Sequence, residues 1–479
     1  MDEKLLNNHL EGDEYFLQEQ HGNLLSPSPL LTVRTDVSYP NTQEKPARAY
    51  RNQGAALLFL MHMAVVFYCA LQGGWPVAVE QRLLGLLFLT GCTAVALSTI
   101  AWYAMTQYSQ HFVVVALSST FAGHFFAAGV LIYFRWWSGV LLAIAFAAVT
   151  LIYLRTVWDR THVAAAQLQV ALQAIERNKA VLSLTYFILL SLQLWVLIWL
   201  MAWLGFYNLT YGENCSDNND NDDQGYYCIV RLGGHGGVLF FFWLSFFWTT
   251  QVLRNVLRVT VAGVVGSFVC RPEYPAVGEA FRHATTSSFG SICFGSLLTA
   301  LIQALYQICR MLQRTSSSSS GNFLVCIVDC IVGFLERLTV YFHKWSYIYI
   351  GLYGDDYLTA GQNVLQLFRE RGWDTIITDQ LVVRTLQLFA TMVGVSTGAV
   401  ALLMGPSLHW SKLVTFAIPA LLGGTLSYIL FLSVVGAAVD SIIVLFAEAP
   451  LELERNHPGL YRQMVTAWSQ LYPDEFRAP

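Results

Sequence analysis

Charged side chains set inside long apolar runs are the residues of this sequence that could do chemistry. Asp440 lies between the apolar stretches 434–439 and 441–446, and Asp329 lies within the apolar stretch 323–335. A carboxylate is expensive in hydrocarbon, so each is a candidate for holding a cation or a proton. The plainer role for Asp440 is a structural pair with an arginine of the inner half; for Asp329 it is the wet face of an amphipathic helix. Arg254 and Arg258 stand one helical turn apart with apolar residues on both sides, and would need partners at the inner leaflet. Trp243 and Trp248 belong to a run dense in Phe240, Phe241, Phe242, Phe246 and Phe247. Indole faces attract quaternary ammonium groups by cation–π interaction, while the plainer role of each ring is lipid-facing or interfacial packing. His124 is expected to bridge helices as a neutral hydrogen-bonder. Gly263 and Gly295 suit close helix packing, and rocking or gating motions would use the same small residues.

These residues need membrane-spanning helices to position them. Hydrophobic residues make up 55% of the 479-residue chain and charged residues 12%, too few to clothe a soluble protein of this size. Apolar runs of about 20 residues recur, each long enough to cross ~30 Å of hydrocarbon. The expected fold is an all-α integral membrane protein of about ten transmembrane helices, at 54–71, 83–105, 112–134, 136–154, 180–207, 236–253, 288–309, 323–352, 379–404 and 413–446. The eighth holds Asp329, Glu336, Arg337, His343 and Lys344, and reads either as a span or as partly interfacial. The sixth continues past Arg258 through an apolar stretch to Val269, giving either one helix of ~50 Å or an interfacial extension. Residues 1–50 read as a disordered cytoplasmic tail, 51–449 as the membrane domain and 450–479 as a cytoplasmic C-terminal tail.

Orientation follows from charge. With the N-terminus inside, eighteen Lys and Arg fall on inner segments and six on outer ones, which places both termini in the cytoplasm. The segment 208–235 is then extracellular or lumenal. It carries glycosylation sequons at Asn208 and Asn214, and Cys215 and Cys228 are expected to pair there as a disulfide. Between the cysteines, the oxygen-rich run 216–223 is either a solvated loop tip or a weak Ca²⁺ binder. Cys69, Cys92 and Cys293 read as packing residues. The acidic start lacks the basic and apolar pattern of a cleaved signal peptide. A net charge of −4 offers no surface for nucleic acid, and no phosphate loop, zinc-protease helix, nucleophile elbow or zinc cysteine set is present. No enzyme, cofactor or resident metal is expected.

Residues 248–263, Trp-Thr-Thr-Gln-Val-Leu-Arg-Asn-Val-Leu-Arg-Val-Thr-Val-Ala-Gly, resemble the choline transporter-like family. So does 288–298, which looks like that family's H-x-G-S-x-x-x-G-S-L segment. Tyr353-Gly354-Asp355-Asp356-Tyr357 stands where the family has Y-G-x-x-F, and Val439-Asp440 matches its V-D near the last span. The similarity covers roughly residues 50–455. The chain departs at Leu358, where the family has cysteine, at Gln362, where it has lysine, and at Leu445-Phe446, where it has Cys-Phe. The short stretch 72–82 between the first two spans is similar to the compact fungal, plant and protist branch.

The resemblance implies ten spans, cytoplasmic termini, and choline or a related organic cation as cargo, moved by facilitated or proton-linked alternating access without sodium. Asp440, Trp243, Trp248 and Asp329 are the candidate substrate contacts, with Arg254, Arg258, Gly263 and Gly295 as structural or gating residues. The rival readings are a non-transporting membrane protein that organises lipid or vesicle traffic, and a channel. Membrane lipids surround it in any case; the plasma membrane is favoured, an internal organelle fits the sequons, and no oligomeric state is specified.

Overall fold

The computed structural model describes residues 50–72, 81–108, 111–211, 236–271, 277–315, 342–371, 381–404 and 412–471, with no strand among the described residues. Numbered in order, the helices are α1 (Gln53–Gln72), α2 (Gln81–Gln107), α3 (Phe112–Tyr133), α4 (Trp137–Val157), α5 (Thr161–Arg177), α6 (Ala180–Tyr211), α7 (Gly236–Cys270), α8 (Val277–Thr285), α9 (Phe289–Thr315), α10 (342–353), α11 (Tyr357–Arg371), α12 (Leu381–Met404), α13 (Lys412–Leu430), α14 (Ala437–Glu448), α15 (Pro450–Asn456) and α16 (Pro458–Leu471).

Among the described residues, eight rods are long and apolar enough to cross a membrane: α1, α3, α4, α6, α7, α9, α12 and the continuous α13–α14. In addition, α2 fills the second expected span with Arg82 as its only charge, and α10 is the described part of the eighth. The protein is an all-α integral membrane protein. Hydrocarbon leaves the backbone no water to bond, so each span closes its hydrogen bonds within itself.

Packing is layered around the last rod, whose residues Phe431–Ala447 are all buried. The rod carries Pro419 inside α13 and relaxes through a π-helical turn at Phe431–Gly436 before α14 begins. Its α13 half packs on α12 and α2, and its α14 half on α7 and α5. Small residues permit the α12–α13 approach: a Cβ on Gly394 would lie 2.7 Å from the Ala420 carbonyl oxygen. Ser98 and Ser427 share a 2.8 Å hydrogen bond between α2 and α13.

The side that the charge count assigns to the cytoplasm carries a helical layer. The amphipathic α5 buries Val163, Leu168, Leu172 and Ile175 against α14 and α16. The C-terminal segment is no loose tail: Leu453, Met464 and Trp468 are buried. It also closes the end of α7. The last carbonyls of a helix have no intrahelical partner, and here Asn456 Nδ2 donates to Val269 O at 2.7 Å while His457 Nε2 bonds Phe268 O at 3.0 Å.

Asp329, Asn214, Cys215, Cys228, the 216–223 run and residues 1–49 lie outside the described residues. Asn208 falls on the last turn of α6, because the helix runs to Tyr211 instead of ending at Tyr207.

Candidate functional site

The axis of the site is α7. Of the two readings of the sixth span, the single long helix holds: Val259–Val269 continues it without a break and is buried by α5, α8 and α14 rather than lying at the interface. Charge alone could not tell the two apart, because the cover comes from helices distant in sequence. The Arg254 guanidinium carbon sits 5.2 Å from the Tyr428 ring centroid on α13. Between the arginines, the buried Asn255 donates to Ser296 Oγ on α9 at 3.0 Å. Two helix crossings need glycine. A Cβ on Gly351 of α10 would stand 2.5 Å from Val259 O, and one on Gly295 of α9 would stand 2.4 Å from the Tyr357 ring. Gly263 lies at the same α7–α10 crossing, 3.3 Å from Gly351 O when given a Cβ.

Asp440 is buried and paired. Its Oδ1 is 2.7 Å from Lys344 Nζ, which also sits 4.4 Å from the Trp345 ring centroid. The partner is thus a lysine of α10 rather than an arginine. This pairing also explains how α10 bears charge in the core: residues 345–350 are all buried, so this part of the eighth span is interior and not interfacial.

A second network surrounds it. Ser296 Oγ and Tyr347 OH lie 3.1 Å apart, and Tyr347 donates to Ile292 O at 3.2 Å. His343 is held at both ring nitrogens, by Thr299 Oγ1 at 3.0 Å and by Tyr357 OH at 2.7 Å. The chain reaches this geometry through Gly354, whose φ of 81° ends α10, and its N–H bonds back to Ile350 O. Asp356 then caps α11 by accepting the Thr359 amide at 3.2 Å. Burial alone would raise its carboxyl pKa, but the Thr359 bonds, the Arg51 charge and the Leu358 amide together outweigh it and hold that pKa below the usual range.

The tryptophans separate. Trp248 is buried, donates its indole N–H to Cys293 O at 3.0 Å, and stacks on His62 of α1 at 4.9 Å. His62 in turn bonds Ser245 Oγ at 2.8 Å. Trp243 is half-buried on another face, parallel to Phe247 at 5.7 Å and near Trp199 of α6. Trp243, Trp248 and Asp440 therefore have different partners and do not form one cage in this conformation. His124 bonds the Thr120 carbonyl of its own helix at 2.6 Å and stacks on Phe146 of α4. Sequence reasoning passed over His62, Tyr347 and Tyr428; the available signal was a polar ring in an otherwise apolar span, the same signal that drew attention to His124.

Sequence comparison decides what this core is. The family described as plasma-membrane choline transporter matches residues 141–451. The chain belongs to that family. Among relatives, protein PNS1 of Cryptococcus neoformans is 26% identical over 424 residues, 84% of this chain and 74% of the relative. Protein PNS1 of Debaryomyces hansenii is 29% identical over 280 residues, covering 52% of this chain and 54% of the relative. Protein PNS1 of Saccharomyces cerevisiae is 39% identical over 173 residues, 34% of this chain and 32% of the relative. The chain spans about half the length of several curated relatives it matches, 54%, 47% and 51% of protein PNS1 from Debaryomyces hansenii, Mycosarcoma maydis and Aspergillus fumigatus.

The four segments that resemble the choline transporter family's motifs converge on this one core. The 248–263 run reaches 288–298 through Trp248 and Asn255, and Tyr357 closes over Gly295, while Asp440 meets Lys344. Two of the departures fall outside it. Leu358 is exposed and Gln362 lies on the exposed side of α11, whereas Leu445 and Phe446 are packed core. Tyr357 is more telling, since the family has phenylalanine there and this chain's hydroxyl holds His343 Nδ1. Tyr357→Phe should destabilise the protein by about 1–3 kcal/mol, because it strands a buried polar atom. The loss would be read as earlier melting of the monodisperse peak, and an unchanged melting curve would mean that the bond contributes nothing.

Proposed function

We propose that the protein carries choline or a related organic cation across a membrane by alternating access, facilitated or proton-linked, and that it performs no covalent chemistry. The observation that carries this reading is the convergence of the family segments on α7, α9, α10 and α14 around buried polar groups. A cation reaching the core meets Asp440 as its nearest described carboxylate and competes there with Lys344, so substrate binding and rearrangement of α10 against α14 become one event. The small-residue crossings at Gly263–Gly351 and Gly394–Gly424 let helices slide with little side-chain repacking. The plasma membrane is the proposed residence.

The test is uptake of labelled choline into proteoliposomes holding the purified protein, with and without an imposed pH gradient. Saturable uptake above empty liposomes is the expected result, and acceleration by the gradient would mark proton linkage. Silence with choline and a panel of related cations, from protein that is monodisperse, would shift weight to the lipid- or traffic-organising alternative.

A further inference from the structure

The proposed cargo leaves two charges unaccounted for. Arg254 and Arg258 point from one face of α7, about 27 and 33 Å along it from its outer end. Among the described residues, neither guanidinium has a carboxylate within ion-pair distance, and the Nε of each is buried with no hydrogen-bond partner. Both residues remain partly accessible. Asp440 is engaged by Lys344, and Glu448, two turns further along α14, accepts from Tyr349 OH at 3.2 Å. Lys344 adds a further positive charge beside Asp440, and that carboxylate is engaged by it rather than by either arginine.

Two like charges one turn apart repel each other, and a buried guanidinium nitrogen without an acceptor is costly. An arginine fork is built to grip an oxyanion through parallel N–H···O bonds. Asn255 between them spends its amide N–H on Ser296 and carries no charge to offset the pair. Tyr428 supports Arg254 by cation–π attraction and a side-chain hydrogen bond but supplies no negative charge. A lone organic cation at this depth would face repulsion from both arginines.

We propose that Arg254 and Arg258 form a binding site for the anionic oxygen group, phosphate or carboxylate, of a small solute, with the aromatic-rich surroundings of α7 receiving a quaternary ammonium where the solute is zwitterionic. The inference rests on the transport reading and narrows its cargo. An oxyanion bridging both forks offsets their mutual repulsion and gives the two buried Nε donors an acceptor. Arg254 and Arg258 are then substrate contacts rather than helix-packing residues, and the cargo need not be a simple cation.

The deciding experiment is thermal melting of the purified full chain with phosphocholine, inorganic phosphate, choline or chloride at matched ionic strength. Phosphocholine and phosphate should raise the melting temperature saturably and beyond chloride. Arg254→Gln and Arg258→Gln should each abolish that shift, while Arg258→Lys should weaken it on the order of 10-fold, since an ammonium binds without the planar fork. The wild-type titration decides even where a variant does not fold. No shift with phosphate or phosphocholine overturns the inference, and a choline shift in the same protein would leave the transport reading standing. A shift that chloride reproduces, or that survives both glutamine substitutions, overturns it as well.

Discussion

Lys344→Met alone and Asp440→Leu alone should each destabilise the protein by about 3–5 kcal/mol, because either change leaves a buried charge without its partner. The Asp440 carboxylate has 6% side-chain exposure and the Lys344 ammonium 12%, so water cannot replace the missing ion. The double substitution should recover most of the loss, since it removes both desolvation penalties together. Melting of the monodisperse peak reads all four proteins of this cycle. Additive losses would show that the two groups are not coupled. Uptake separates a structural pair from a working one. If Asp440 meets the cargo, the double variant regains stability yet stays inactive for choline; full recovery of uptake would remove Asp440 from the transport path.

Trp468→Ala should cost about 3–5 kcal/mol, the usual range for emptying the site of a fully buried large aromatic. Trp468 is completely buried, its ring 5.1 Å from Phe446 at the end of α14, and α16 is tied to α5 by the 2.7 Å Gln463–Gln169 bond. The consequence reaches the membrane core, because the same segment supplies Asn456 and His457 to the end of α7. Arg462→Ala on the exposed side of α16 is the control and should change stability by no more than about 0.5 kcal/mol. Equal melting of the two variants would show that the C-terminal helices are dispensable to the fold.

The unequal legibility of the sequence has particular causes. The spans could be read because each must satisfy its own backbone in hydrocarbon, which imposes a length and an apolar composition visible one helix at a time. Residues 161–177 escaped notice although Val163, Leu168, Leu172 and Ile175 recur at helical spacing. Short amphipathic helices beside a membrane have no such length constraint, and Arg160, Arg177 and Lys179 at their flanks read simply as inner-loop charge. Residues 450–479 read as a tail in sequence for a similar reason: Leu453, Met464 and Trp468 are sparse there and gain meaning only against α5 and α14.

At the candidate site the sequence alone determined the inventory. It marked Asp440, Arg254 and Arg258 as charges that hydrocarbon would not tolerate alone, and it marked the motif segments whose order points to the choline transporter family. Tertiary structure alone decided the partners. Lys344 rather than an arginine meets Asp440, Tyr357 meets His343, and His62 covers Trp248, pairs that lie 96, 14 and 186 residues apart in the chain. The desolvation cost of a charge is local to its residue and can be read from neighbours in sequence. The compensation that makes the charge tolerable is a contact across helices, so it exists only once the helices have packed.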